Sequence, residues 1–187
     1  LGPLVREYCA EHMCCGVLLG EAAFISAYLP DITKPLELYT AAVGSLKTLC
    51  MRPLSLGAKS FVLGGDFQIE VQRNLPDISG SCANGRVSCT DYWERHTALI
   101  EFAMAFKLCF ANTWSDSAQC WNTRSHWSRP RSAGTQIDYL LVSTFLQTSS
   151  GVYGERIFRS DHFLVWAAII FASVVQRRQG QATANRS

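Results

Sequence analysis

Phe61-Val62-Leu63-Gly64-Gly65-Asp66-Phe67-Gln68 decides how the chain is read. Three apolar residues run into two glycines, followed by an acid, an aromatic and an amide. The pattern predicts a buried strand that stops at Gly64–Gly65 and presents Asp66 and Gln68 at its mouth. Residues two apart on an extended chain point to the same side. The glycines allow backbone or ligand to come close. A carboxylate and an amide aimed the same way suit a water, a metal ion or a phosphate. The plainer alternative is that Asp66 only opens a turn.

Two further stretches repeat the theme. Residues 136–142, Gln-Ile-Asp-Tyr-Leu-Leu-Val, read as an apolar strand with Asp138 near its start. Residues 160–166, Ser-Asp-His-Phe-Leu-Val-Trp, read as another, headed by Asp161 and His162. Three strands with an acid near one end imply a carboxylate cluster at one edge of a sheet. Such a cluster is costly unless a metal ion or a cationic group joins it.

Around these strands the chain reads as mixed α and β. Val17–Leu29 is a strand broken at Gly20–Glu21, in the manner of a hairpin, and stopped by Pro30. Leu36, Tyr39, Val43, Leu46 and Cys50 recur at helical spacing, predicting a helix over 35–51 closed by Pro53. Residues 69–90 carry Pro76, Gly80, Asn84 and Gly85 and read as a loop. Asp91 and Glu94 resemble a capping box opening a helix over 92–107. Residues 108–114 read as a strand. A polar stretch over 115–135 holds Trp121, Arg124, Trp127, Arg129 and Arg131, and strands 136–143 and 162–171 follow. The division is one domain over 1–171 and a polar tail over 172–187. Alternating strands and helices also suit a doubly wound parallel sheet, and the pattern alone does not separate the two architectures.

Composition narrows the class. The 187 residues are 48% hydrophobic and 17% charged, which marks a globular chain with a sizeable core. The longest apolar run, Phe163–Val175, is 13 residues, short of the roughly 20 a membrane helix needs. No basic segment precedes the apolar Met13–Ile25 stretch, so no signal peptide is expected. Residues 1–120 hold 9 basic and 12 acidic groups, whereas 121–187 hold 8 arginines and 3 acids. The second part therefore favours phosphate, although a solvated basic face gives the same bias. None of the 8 cysteines falls in a Cys-x-x-Cys pair, and His12 with Cys14 and Cys15 is too small a set for zinc. A reduced, intracellular protein is the simplest account, with the nucleus as a candidate compartment.

Gly65-Asp66-Phe67, Ile137-Asp138-Tyr139 and Ser160-Asp161-His162, in this order, resemble the endonuclease/exonuclease/phosphatase superfamily, the DNase I-like and exonuclease III-like proteins. Ala27-Tyr28-Leu29-Pro30-Asp31 resembles that family's Tyr-x-Pro-Asn turn. The chain as a whole looks most like the endonuclease domains attached to non-LTR retrotransposon reverse transcriptases. The resemblance implies an α+β fold: two β-sheets packed as a sandwich and flanked by helices in four layers (α/β/β/α), here incomplete at its N-terminal side. It also implies hydrolysis of phosphodiester or phosphomonoester bonds with Mg²⁺ or Mn²⁺. Nucleic acid would be the substrate, and a reverse transcriptase in the same polyprotein a partner.

By position in the motifs, Asp66 would activate or orient the water. Gln68 stands where the family has Asn. Asp161 would bind the metal ion. His162, held by Asp138, would donate to the scissile phosphate, and Tyr28 would bond the phosphate too. Asp31 replaces the family's Asn in its turn, and Trp127 and Arg129 would meet the substrate. Each has a structural alternative: a core Tyr28, an Asp138 paired with an arginine, a buried His162, or tryptophans that merely anchor a loop. The family's early Asn and metal-binding Glu have no counterpart in the 27 residues before Tyr28, since His12 and Glu21 lie in other contexts. This predicts poor or no DNA cleavage by these 187 residues alone. It keeps two other readings open: a non-catalytic remnant that binds nucleic acid or protein, and an inositol-phosphate or sphingolipid phosphatase of the same fold.

Overall fold

The computed structural model describes residues 5–11, 13–83, 85, 90–114, 122–124, 134–152 and 160–171. The order of elements is β1 (Val5–Glu11), β2 (Cys14–Leu19), β3 (Ala22–Tyr28), α1 (Leu36–Ser55), β4 (Ser60–Asp66), α2 (Thr90–Ala105), β5 (Leu108–Phe110), β6 (Asp138–Ser143), β7 (Gln147–Val152) and β8 (Val165–Ile170). Six strands form one mixed sheet in the order β1-β2-β3-β4-β6-β5, and β7 pairs antiparallel with β8 in a second. Among the described residues, two sheets and two helices make the expected α+β architecture.

Alternation along the strands builds the core. In β3, Ala23, Ile25 and Ala27 are buried, while Phe24, Ser26 and Tyr28 point to the other face. In β4, Phe61 and Leu63 join the buried side. The helices cover that side: Leu46, Leu49 and Cys50 of α1 and Leu99, Phe102 and Ala103 of α2 share one apolar cluster with the sheet. Phe61 meets Phe106 edge-on, with centroids 5.9 Å apart. The opposite face of the sheet turns toward β8, where Phe24 approaches Phe171. A cavity of about 860 Å³ lies along this face, lined by Val17, Phe24, Val62, Leu140, Phe163 and Val165 and reaching Asp66 and Asp138. No helix among the described residues is long and apolar enough to cross a membrane.

Several boundaries differ from those expected. The strand does not stop at Gly64–Gly65 but runs through both to Asp66. β3 lies so close that a Cβ on Gly65 would sit 1.8 Å from the Ala27 carbonyl oxygen, so only glycine lets the pair form. α1 passes through Pro53 to Ser55. A proline near a helix end forfeits one N–H bond, and the carbonyls of Arg52 and Pro53 still accept from Leu56 N–H. α2 begins at Thr90, one residue before the expected cap. The strand expected over 108–114 ends at Phe110 and gives way to a 3₁₀ turn, Ala111–Thr113. β1 and the polar β7 carry no alternation strong enough to announce them. Trp121, Trp127, Arg129, Arg131 and the tail over 172–187 lie outside the described residues.

Candidate active site

Register brings the first three candidates together. β3 and β4 run parallel with Tyr28 opposite Asp66, and β4 and β6 run antiparallel with Asp66 opposite Asp138. Partners in register project to the same face of a sheet. Tyr28, Asp66 and Asp138 therefore form a row across three strand ends, on the face away from the helices. A cleft of about 690 Å³ opens over Tyr28 and Asp66, lined also by Asp31, Gln68, Arg124 and His162, while Asp138 borders the neighbouring cavity that Asp66 shares.

Each strand end is held by specific bonds. Asp66 is 9% exposed, and its carbonyl accepts from Leu29 N–H at 2.9 Å. Phe67 N–H donates to the Ile137 carbonyl, and the Phe67 ring is fully buried. Gln68 then turns back with φ of 55°, a left-handed conformation unusual for its type. This turn lets its backbone N–H and its side-chain amide both donate to the Asp66 carboxylate. On the far side, Asn112 is buried and continues the β5–β6 ladder where β5 has ended. Its amide nitrogen donates to the Asp138 carbonyl at 3.1 Å, and its amide oxygen accepts from Leu140 N–H at 3.0 Å. Thr123 joins β6 to the His162 segment. Its hydroxyl oxygen accepts from Ile137 and Asp138 N–H, and its carbonyl accepts from Phe163 N–H.

His162 is thereby placed over the row. Its Nδ1 lies 3.1 and 3.0 Å from the two carboxylate oxygens of Asp138. Bonding to Asp138 raises the imidazole's pKa against the opposing effect of burial, so the charged, donating form is favoured. Nε2 remains for the cleft, 3.7 Å from Asp161 Oδ1. Asp161 itself pairs with Arg124, Nε to Oδ2 at 2.9 Å, and this bond holds its carboxyl below the usual range. Burial first, and the Asp138 charge second, push the Asp66 carboxyl up to about 6.

The structural alternatives for Tyr28, Asp138 and His162 can be set against their surroundings. Tyr28 is 47% exposed and is no core tyrosine. Asp138 takes a histidine partner, and His162 is only half-buried. Asp31 stands on the cleft wall, but its carboxylate accepts from Thr33 N–H and from the Thr33 hydroxyl, bonds that lower its pKa. Its first task is to build its own turn. Arg95, fully buried, fastens that turn by donating to the carbonyls of Pro30, Asp31 and Lys34 while lying over the Tyr39 ring. Sequence reading passed over Arg95, Asn112 and Thr123, and it placed Arg124 only within a basic loop. An arginine in a helix and a polar residue after a strand look like ordinary surface residues until their partners, tens of residues away, are known.

Asp66, Asp138 and His162 offer ligand atoms that all lie within 4.8 Å of one another. The donor set fits a divalent cation. Two carboxylates crowd at one row, one of them with its ionised form disfavoured by burial and by its neighbour. Cations that retain several waters are commonly held by one or two carboxylates. His162 contributes less to such a site, because its Nδ1 is already on Asp138. Asp161, expected as the metal ligand, stands outside this group of three.

No family model and no curated protein sequence matches the chain. Solved structures do. The 3′ phosphatase NExo from Neisseria, bound to a product DNA hairpin, superposes with a TM-score of 0.60 at 15% identity, over 89% of this chain and 70% of that one. An AP endonuclease from Archaeoglobus fulgidus gives 0.60 at 12% identity, over 85% and 65%. A mannosyl-6-phosphatase from Bacteroides thetaiotaomicron gives 0.54 at 18%, over 84% and 56%. The chain thus spans between about half and 70% of the length of these structures. The fold is the DNase I-like fold, as the resemblance implied.

Proposed function

We propose that this DNase I-like fold is a divalent-metal-dependent phosphodiesterase acting on nucleic acid. The observation that carries the reading is the row Tyr28–Asp66–Asp138 with His162 bonded to Asp138 beside it. Hydrolysis of a phosphodiester needs a positioned water, donors for the developing charge on phosphorus, and relief of charge on the leaving oxygen. Asp66, ionised, accepts a proton bond from the water and holds it in line. Gln68, bonded to Asp66 twice, fixes the carboxylate's rotamer. His162, charged through Asp138, offers Nε2–H to a phosphate oxygen, and the exposed Tyr28 hydroxyl offers a second donor. Mg²⁺ or Mn²⁺ held by Asp66 and Asp138 would supply Lewis-acid stabilisation of the phosphate charge.

Nucleic acid is preferred over a small phosphate ester on two grounds. One fold neighbour was solved on a product DNA hairpin, and the second part of the chain carries 8 arginines against 3 acids. Trp127 and Arg129, in the basic stretch of the sequence, are the residues proposed to contact nucleic acid. The retrotransposon-type endonuclease, with a reverse transcriptase in the same polyprotein and a nuclear site of action, rests on the look of the chain as a whole outside the motifs. A mannosyl-6-phosphatase among the neighbours keeps a small phosphate ester as the competing substrate. The test is competition. Labelled duplex DNA bound to the chain in Ca²⁺ should be displaced by unlabelled duplex and not by an inositol phosphate at the same phosphate concentration. The opposite order would assign the cleft to small esters.

A further inference from the structure

Arg124 is built into the cleft more firmly than a surface arginine. Its backbone N–H donates to the Thr135 carbonyl at 3.0 Å, and its carbonyl accepts from Thr135 N–H at 2.9 Å. It also bridges to His162, so residues 122–124 are clamped between the start of β6 and the histidine segment. Its side chain is 44% exposed and lines the same cleft as Asp66, Gln68 and His162. Nε is committed to Asp161, which leaves the two terminal nitrogens of the fork without a protein partner among the described residues. The charges of Asp66 and Asp138 also act on it.

The charge count explains why a cation is stationed here. Asp66, Asp138 and Asp161 all act on Arg124, and Asp31 and Glu70 also line the cleft. Arg124 and the charged His162 are the cations set against these acids, so the cleft keeps an acidic excess that favours a divalent ion. We propose that Arg124 is the cleft's resident cation. It holds Asp161 away from the Asp66–Asp138–His162 group, competes with a divalent ion for that carboxylate, and presents its fork to the substrate phosphate once Asp161 is drawn away. Planar donors in a fork match two phosphate oxygens, which a lysine ammonium does not reproduce. This inference rests on the metal-dependent reading above.

The experiment uses the 187-residue chain and titrates Mn²⁺ alone, with free ion followed by electron paramagnetic resonance, and then inorganic phosphate at saturating Mn²⁺. Arg124→Gln should tighten Mn²⁺ about fivefold, the scale of one partly exposed ion pair. Arg124→Lys, which keeps the charge, should bind Mn²⁺ within about twofold of wild type by the same argument. Both variants should bind phosphate more weakly. The backbone bridges to Thr135 and His162 do not use the side chain, so both should melt like wild type. Unchanged or weaker Mn²⁺ binding by Arg124→Gln, with wild-type binding lost in Asp66→Asn, overturns the inference and leaves the metal site standing. No Mn²⁺ binding by any of the proteins overturns both. Should Arg124→Gln fail to fold, undiminished phosphate affinity in Arg124→Lys also overturns the inference.

Discussion

Replacing Asp66 by Asn should make the protein more stable and the site inert. Asp66 is 9% exposed at the end of β4, directly opposite Asp138 in register. Burial and that neighbouring charge raise its carboxyl from 3.8 to about 6. At about 1.4 kcal/mol per pH unit, the displacement amounts to about 3 kcal/mol of native-state penalty on the ionised form. The sign follows from proton counting. Between 3.8 and about 6 the native state binds more protons than the unfolded chain, so stability falls as pH rises through that window. Above it the whole penalty is present, and below it none. Asn keeps the shape and an oxygen to accept from Gln68 N–H, and the Gln68 amide can rotate to face the new nitrogen. Asp66→Asn should therefore raise the melting temperature by roughly 5–10 °C at pH 7.5, for a chain of this size. The gain should vanish near pH 4. Added Mn²⁺ should raise the melting temperature of wild type and leave the variant where it is. Circular-dichroism melts at pH 4 and 7.5, with and without Mn²⁺, make the test. A variant no more stable than wild type at pH 7.5, or a gain that persists at pH 4, would refute the claim that Asp66 is held ionised against its surroundings.

Gly65→Ala puts a Cβ 1.8 Å from the Ala27 carbonyl oxygen, so β3 and β4 must separate. A loss above about 4 kcal/mol is expected, read as an early urea midpoint or insoluble protein. Gln68→Asn should speed single-turnover cleavage of a labelled duplex. Asn tolerates the φ of 55° better than Gln, and one methylene moves the amide by about 1 Å, a displacement that can cost up to about 10²-fold in rate. An equal or slower variant would count against this account of Gln68. Asp138→Asn removes the leading cause of the raised His162 pKa, so the His162 midpoint followed by NMR in metal-free protein should fall; an unmoved midpoint would separate the two residues.

The fold class and the convergence of Asp66, Asp138 and His162 were legible in the sequence, and several element boundaries were not. Asp66, Asp138 and His162 stand at junctions where an apolar run meets a polar residue, and such junctions survive in sequence because the period of a strand fixes which residue reaches its end. The sequence puts the end of α1 at Pro53, whereas a proline in the last turn only leaves one carbonyl without its N–H donor, which water or another N–H can supply. β7 was missed because Gln147-Thr148-Ser149-Ser150 has no apolar face of its own; its place comes from pairing with β8 and from the Ser150 hydroxyl donating to the Ala111 carbonyl. Arg124 and Asp161 illustrate the other limit. Both were visible as residue types, but their partnership spans 37 positions and depends on the Arg124–Thr135 bridge, which no local pattern encodes.

The most direct measurement is single-turnover cleavage of a 5′-labelled duplex by the 187-residue chain in excess Mn²⁺, run beside an EDTA control and beside Asp66→Asn. The account predicts slow cleavage that EDTA stops and that Asp66→Asn abolishes although the variant is folded. Cleavage that survives either treatment would contradict it, because the reaction would then proceed without the row of Asp66, Asp138 and His162. No cleavage by wild type, together with duplex binding that is indifferent to Mn²⁺ and to Asp66→Asn, would contradict the enzymatic reading and favour a fold retained for binding alone.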